Sequence, residues 1–301
     1  MEFFFQQLTN GLAVGGIYAL IALGYTMVYG VLKLINFAHG DLFTIGAYLG
    51  LTLLTSFGLS QFLGPLGVVI VLVLMVMGLV GVVGAVLERV AYRPLREAHR
   101  LSAVVSALGA SIFFQNAIML IFGARNRVYP HDILPKTAIS IMGLEIPLIR
   151  VLILSASLLM MVGLYLFIQK TRIGTAIRAA AIDQRAAKLM GINVNRVIMI
   201  VFIIGPALGG AAGLMVGLYY GQINFTMGWM YGLKAFTAAI LGGIGNIPGA
   251  MVGGLLIGII EALGAAYISI AWKDAITFGI LIAILIVRPT GLLGERVAEK
   301  V

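Results

Sequence analysis

A chain of 301 residues in which 61% are hydrophobic and only 10% charged is far from a soluble domain, where about a quarter of the residues carry charge. The net charge of +9 falls in short clusters between apolar stretches, which excludes nucleic acid as the partner and reads as a membrane-topology signal. There is no cysteine, and so no disulfide, thiolate metal site or cysteine nucleophile.

About twenty apolar residues span a bilayer core. On that measure the chain is an all-α polytopic membrane protein with about nine spans, within a range of eight to ten, at about 8–32, 41–57, 62–87, 101–122, 148–168, 197–220, 230–244, 249–268 and 273–288. The N-terminal "MEFFFQQLTNG" lacks the basic start and small-residue cleavage site of a signal peptide, so the first span is expected to stay in place.

After the first span comes "INFAHGDLF", residues 35–43, which sets Asn36, His39 and Asp41 beside Lys33 in a very apolar context. Asn36 suits the capping of backbone donors where a helix breaks and restarts. Two readings of the other pair stay open. Either Asp41 caps the second span and His39 sits at the wet interface, or both belong to a substrate path or gate.

The third span leads into "ERVAYRPLREAHR", with Arg89, Arg93, Arg96 and Arg100. In the fourth span Gln115 and Asn116 are expected to bond across helices. Residues 169–196 hold a second basic cluster, and from Gly174 to Met190 they are alanine-rich and free of proline. That predicts a short helix outside the membrane carrying Arg178, Asp183, Arg185 and Lys188, ended by Gly191. Both basic loops belong in the cytoplasm under the positive-inside rule, which puts the N-terminus outside and the C-terminal "RPTGLLGERVAEK" inside.

The sixth span carries Gly209, Gly213 and Gly217, and the eighth pairs Gly249 with Gly253 and Gly254 with Gly258, spacings that let helices pack closely within one chain. After the sixth span "INFTMGWMY", residues 223–231, returns to the pattern of 35–43. Ile35, Asn36, Phe37 and Gly40 match Ile223, Asn224, Phe225 and Gly228. The nine-span topology gives the two copies opposite orientations, as in an inverted-topology repeat with broken helices. The expected layout is one transmembrane domain over 1–301, with a first repeat at about 8–168, the cytoplasmic segment at 169–196 and a second repeat at about 197–290.

Lys234 and Glu261 fall inside spans, where they either snorkel and pair internally or face a path. "LGGIGNIPG", with Asn246 and Pro248, is expected to interrupt a helix. No phosphate-binding G-x-x-x-x-G-K-[ST] occurs, nor H-E-x-x-H or G-x-S-x-G, which argues against an enzyme and means that any ATP-driven pumping uses another subunit's energy. His39, His99 and His131 are too scattered for a metal site. A rival reading is a self-sufficient channel or secondary carrier, with Lys33, Asp41, Lys234 and Glu261 as ion-coupling groups.

Five stretches, "GGIYALIALGYTMVYGVLKLINFAHGDLFTIGAY", "ERVAYRPLR", "GTAIRAAAIDQRAAKLMGIN", "KAFTAAILGGIGNIPGAMVGGLLIGIIEAL" and "RPTGLLG", occur in the order found in a known family. Through them the chain resembles, nearly end to end, the LivH-type permease of the branched-chain amino acid ABC importers. The resemblance implies a bacterial or archaeal inner-membrane subunit with no catalytic residue and no cofactor of its own. It also implies a homologous LivM-type permease, two ABC ATPase subunits that bind ATP and Mg, and a periplasmic substrate-binding protein that delivers leucine, isoleucine or valine. The segment from Arg178 to Gly191 would be the coupling helix that docks on an ATPase, although "RAAAIDQRAAKLMGIN" departs from the EAA-loop pattern of other ABC permeases. Related permeases import urea or short amides. The repeat and the polar groups inside spans, rather than the resemblance, put forward Asn36, His39, Asp41, Asn224, Lys234 and Glu261 for the path or gate.

Overall fold

The computed structural model describes residues 2–56, 64–96, 98–130, 138–141 and 144–294. The expected span limits at 57 and 62, together with His131, Arg296 and Lys300, lie outside the described residues. Among the described residues eleven α-helices follow one another: α1 Glu2–Leu32, α2 His39–Ser56, α3 Pro65–Leu87, α4 Arg100–Phe122, α5 Leu148–Lys170, α6 Arg172–Ile182, α7 Gln184–Leu189, α8 Val194–Tyr220, α9 Met227–Gly242, α10 Ile247–Tyr267 and α11 Lys273–Val287. α3 continues through a π-helical turn, Glu88–Tyr92, into a 3-10 turn, Arg93–Leu95. Two short antiparallel pairings were not anticipated: Arg127–Val128 with Gln222–Ile223, and Ala138–Ile141 with Leu144–Pro147.

Every expected span contains a helix, but among the described residues six, α1, α3, α4, α5, α8 and α10, are long and apolar enough to cross a membrane. α2, α9 and α11, with 18, 16 and 15 residues, fall short in length or apolarity. For α2 and α9 the packing gives the reason. His39, the first residue of α2, lays its ring against Gly24, eight residues before α1 ends, so α2 starts alongside α1 rather than beyond its end. Gly40 of α2 in turn lies against Gly228 of α9, where a Cβ on either residue would strike the other's carbonyl oxygen.

From this crossing the two short helices leave in opposite directions. α2 follows α8, with Gly46 at Gly210 and Gly50 at Leu214, whereas α9 follows α1, with Tyr231 at Tyr18 and Phe236 at Tyr25. α10 runs antiparallel to both α1 and α9 through its glycines: Gly254 and Gly258 meet Ala19 and Gly15, and Gly249 and Gly253 meet Gly242 and Ala238. α1 is buried almost without a break from Gly11 to Val31, while α3, α4 and α5 turn residues such as Leu74, Val82, Leu120 and Leu159 outward, as lipid-facing helices do.

The stretch "LGGIGNIPG" forms the tight turn between α9 and α10. Gly243 and Gly245 take positive φ there, and the Asn246 side chain accepts from the Gly249 amide at 2.9 Å with Pro248 in the first turn of α10. The chain after α11 closes on this turn, as the Leu292 and Leu293 amides donate to the carbonyls of Leu241 and Gly242.

The single helix expected over 174–190 is two. Asp183 is extended between α6 and α7, and its carboxylate accepts from the amides of Arg185 at 2.7 Å and Ala186 at 3.1 Å. The side chain thus competes with the continuing helix and starts a new one. Gly191, at φ 83°, then closes α7.

Candidate translocation path and coupling segment

The two broken-helix loops share one hydrogen-bond pattern. Asn36 Oδ1 accepts from the Ala38 amide at 3.1 Å, and Asn224 Oδ1 accepts from the Thr226 amide at 3.1 Å. In each loop the asparagine carbonyl also accepts from the first residue of the next helix, His39 at 3.0 Å and Met227 at 3.4 Å. Asn36 is fully buried and accepts a second bond, from the Tyr92 hydroxyl at 2.8 Å, which ties the loop to the π-helical turn after α3. Asn224 is half-buried and uses the Thr226 hydroxyl instead, at 3.0 Å.

His39 and Asp41 depart from the interfacial reading. His39 is completely buried, with its ring edge-on to Tyr25 at 4.7 Å between centroids and set against Gly24 and Gly209. Neither ring nitrogen makes a hydrogen bond. Asp41 stands in the first turn of α2, but its buried Oδ1 likewise has no hydrogen-bond partner, so it does not cap the helix, and its neighbours are Ser111 and Gln115 of α4. Gln115 and Asn116 bond within α4, to Ser111 and to the Ile112 carbonyl, rather than across helices. A narrow cavity of about 50 Å³ opens at the crossing, with Tyr25, Phe37, Asp41, Trp229 and Phe236 in its wall.

Lys234 and Glu261 are brought together. Lys234 Nζ donates to Glu261 Oε1 at 2.8 Å, and both residues are buried. Tyr18 donates to Glu261 Oε2 at 2.7 Å. Two further charges from the start of α11, which the sequence reading left unassigned, complete the group: Lys273 Nζ lies 3.1 Å from Glu261 Oε1, and Asp274 Oδ1 lies 2.7 Å from Lys234 Nζ without hydrogen-bond alignment. Two positive and two negative groups thus neutralise one another where an isolated charge is costly. The Tyr231 ring joins this group to the crossing, stacked on Phe43 at 5.0 Å and set against Tyr18 at 5.9 Å. Of the six path residues Lys234 and Glu261 pair directly, His39 and Asp41 lie at the start of α2, and Asn36 and Asn224 set the turns that precede α2 and α9.

On the segment after α5, Arg178, Arg185, Lys188 and Gly191 are exposed. Asp183 is exposed too, and its carboxyl is held below the usual range by the amides of Ala186 and Arg185 and by the nearby Arg185 charge. Three apolar side chains missed in the sequence protrude here, with Ile182, Leu189 and Met190 between 82% and 89% exposed. Gln184, equally unremarked, donates to the Val31 carbonyl at the end of α1 at 2.6 Å. Arg96, after α3, pairs with Glu88 and donates to Asn195 Oδ1 at the start of α8 at 2.6 Å. Among the described residues no cluster of histidine and carboxylates is placed to hold a metal.

Residues 7–285 match the family model described as the permease component of the branched-chain amino acid transport system. The chain is 46% identical to the high-affinity branched-chain amino acid transport system permease protein BraD of Pseudomonas aeruginosa, over 99% of this chain and 98% of that one. It is 44% identical to the permease protein LivH of the same kind of system in Escherichia coli, over 99% of this chain and 98% of that one. It is also 29% identical to a probable branched-chain amino acid transport permease protein LivH of Methanocaldococcus jannaschii, over 95% and 91% of the two chains. No solved structure matches it.

Proposed function

The chain belongs to the family of branched-chain amino acid transport permease components, and from that premise we propose that it lines the path by which leucine, isoleucine or valine crosses a bacterial or archaeal inner membrane. The near-complete match to BraD and LivH carries this reading. The crossing of α2 and α9 suggests how the path works. Two helices that begin inside the bilayer, in opposite directions and from matching Asn-led turns, are the arrangement expected of an inverted repeat. Its first half runs through α1 to α5 and its second through α8 to α11. Asn36 and Asn224 set the two turns, His39 and Asp41 supply buried polar groups at the crossing, and Lys234 and Glu261 lock α9 to α10 beside it.

Uptake is driven by two ABC ATPase subunits, which bind ATP and Mg, and the substrate arrives on a periplasmic binding protein. This chain lacks the phosphate-binding motif such work requires. A LivM-type permease completes the path against the exposed Trp229 and Met230 of α9. α6 and α7 dock on an ATPase through Arg178, Arg185, Lys188 and the protruding Ile182, Leu189 and Met190. The N-terminus is outside and the C-terminus cytoplasmic, which leaves the basic segment 169–196 inside. In the mechanism the ATPases move α7, the Gln184 bond pulls on the end of α1, and the loop at 33–38 opens or closes the crossing.

Reconstitution of the chain with a second permease, two ATPases and the binding protein tests the reading. ATP-dependent uptake of L-leucine, lost when the ATPases are left out, is expected. Uptake without ATPases overturns it in favour of a secondary carrier.

A further inference from the structure

At the end of the molecule where α1 and α11 begin and α8 and α10 finish lies a second, larger cavity of about 280 Å³, near the lower end of small-ligand pockets at about 300 Å³. Its wall is mixed. Glu261, Lys273 and Asn10 line it beside Val14, Ala265 and Ala266, with Asn10 next to Val14 on one face of α1 and Glu261 next to Ala265 on one face of α10. Resting on the transport reading above, we propose that this cavity is a receiving site for a zwitterionic amino acid with an aliphatic side chain, ahead of the crossing of α2 and α9.

The three charges around Glu261 have unequal roles. Lys234 is buried and holds Glu261 at 2.8 Å, and Tyr18 holds the other carboxylate oxygen. The Lys273 side chain is 35% exposed against 7% for Lys234, and it makes the longer contact at 3.1 Å. Lys273 can therefore leave Glu261 without stripping it of a counter-charge. An amino acid carries the same two charges as the Lys273–Glu261 pair. Its carboxylate takes Lys273, and its ammonium takes the Glu261 oxygen that Lys273 releases. The Oδ1 of Asn10, buried and without a hydrogen bond, is a second acceptor for that ammonium. The small Ala265 and Ala266 leave room for a branched side chain beside Val14, and a longer residue at either position would fill it.

The test is equilibrium binding of radiolabelled L-leucine to the complete transporter in nanodiscs without its binding protein, with ATP-driven uptake by the native complex measured in parallel. Saturable binding is expected. Leucinamide and 4-methylpentanoate, each missing one charge, should compete about tenfold less well than leucine, the effect of one lost charge-assisted hydrogen bond. Lys273→Gln should weaken binding by a similar factor, and Ala266→Leu, which leaves every charge in place, should abolish it. Native-like binding by both variants, equal competition by all three compounds, or no binding by a complex that takes up leucine overturns the site and leaves the transport reading standing. A native complex that takes up no leucine overturns the transport reading, and the site with it.

Discussion

Lys234 is buried within α9, and the ammonium is tolerable there because Glu261 and Asp274 face it from α10 and α11. Removing one member of a buried pair costs roughly 3–5 kcal/mol, because the remaining charge is left uncompensated. Lys234→Met should therefore lower the melting temperature of the purified chain sharply, while Lys234→Met combined with Glu261→Gln should recover much of the loss. A double variant as unstable as the sum of the singles would mean that the two residues act separately. Both residues were legible in the sequence as charges inside spans. An internal pair was one of the readings open for them, and the choice was not legible, because it depends on how α9, α10 and α11 pack. The depth of His39 was hidden for the same reason: its ring rests between Gly24 on α1 and Gly209 on α8.

Each short helix owes its start to one residue or contact, and two substitutions test this. A side chain at Gly228 would drive a carbon into the backbone of Gly40, so Gly228→Val should abolish transport and reduce the yield of folded protein, whereas Gly78→Val, on α3 where a side chain meets open space, should do neither. Transport by Gly228→Val at the native rate would mean that the crossing is not required. α7 depends on the Asp183 carboxylate, whose proton affinity is lowered by the amides it caps. A carboxylate lowered on folding contributes stability that is complete above its ordinary value of about 3.9 and fades as the pH falls through its lowered folded value. Hydrogen exchange at Arg185 and Ala186, corrected for intrinsic rate, should lose protection only at acid pH. Asp183→Asn should remove that pH dependence while keeping the cap, and Asp183→Ala should lose protection at every pH. The break itself was available in the sequence, since aspartate favours the position before a helix, but the run of alanines around it masked the signal.

For the molecule as a whole, the nine apolar helices and their order could be read from apolar runs, whereas the number of full crossings could not. Composition records that a segment is apolar and not the depth at which it begins, and α2 begins far from the end of α1 only because its loop folds back against Gly24. The Asn-led repeat was the sequence's one trace of that geometry. The same fold places Gln184 under the end of α1, at the foot of the loop that carries Asn36 to the crossing. If ATPase movement reaches the path by this bond, Gln184→Leu separates the two activities. The variant keeps the exposed face of α6 and α7, with Ile182, Leu189 and Met190, so the ATPases should still bind and hydrolyse ATP, while leucine uptake per ATP should fall about tenfold, as expected when one short hydrogen bond from a buried carbonyl is lost. Gln184→Glu is the companion variant. It keeps the length of the side chain but, when ionised, offers the Val31 carbonyl only an acceptor, so it should uncouple as strongly as the leucine. Uptake and hydrolysis that fall together in both variants would place the defect in docking, and native coupling in both would move the transmission to the Arg96–Asn195 contact at the start of α8.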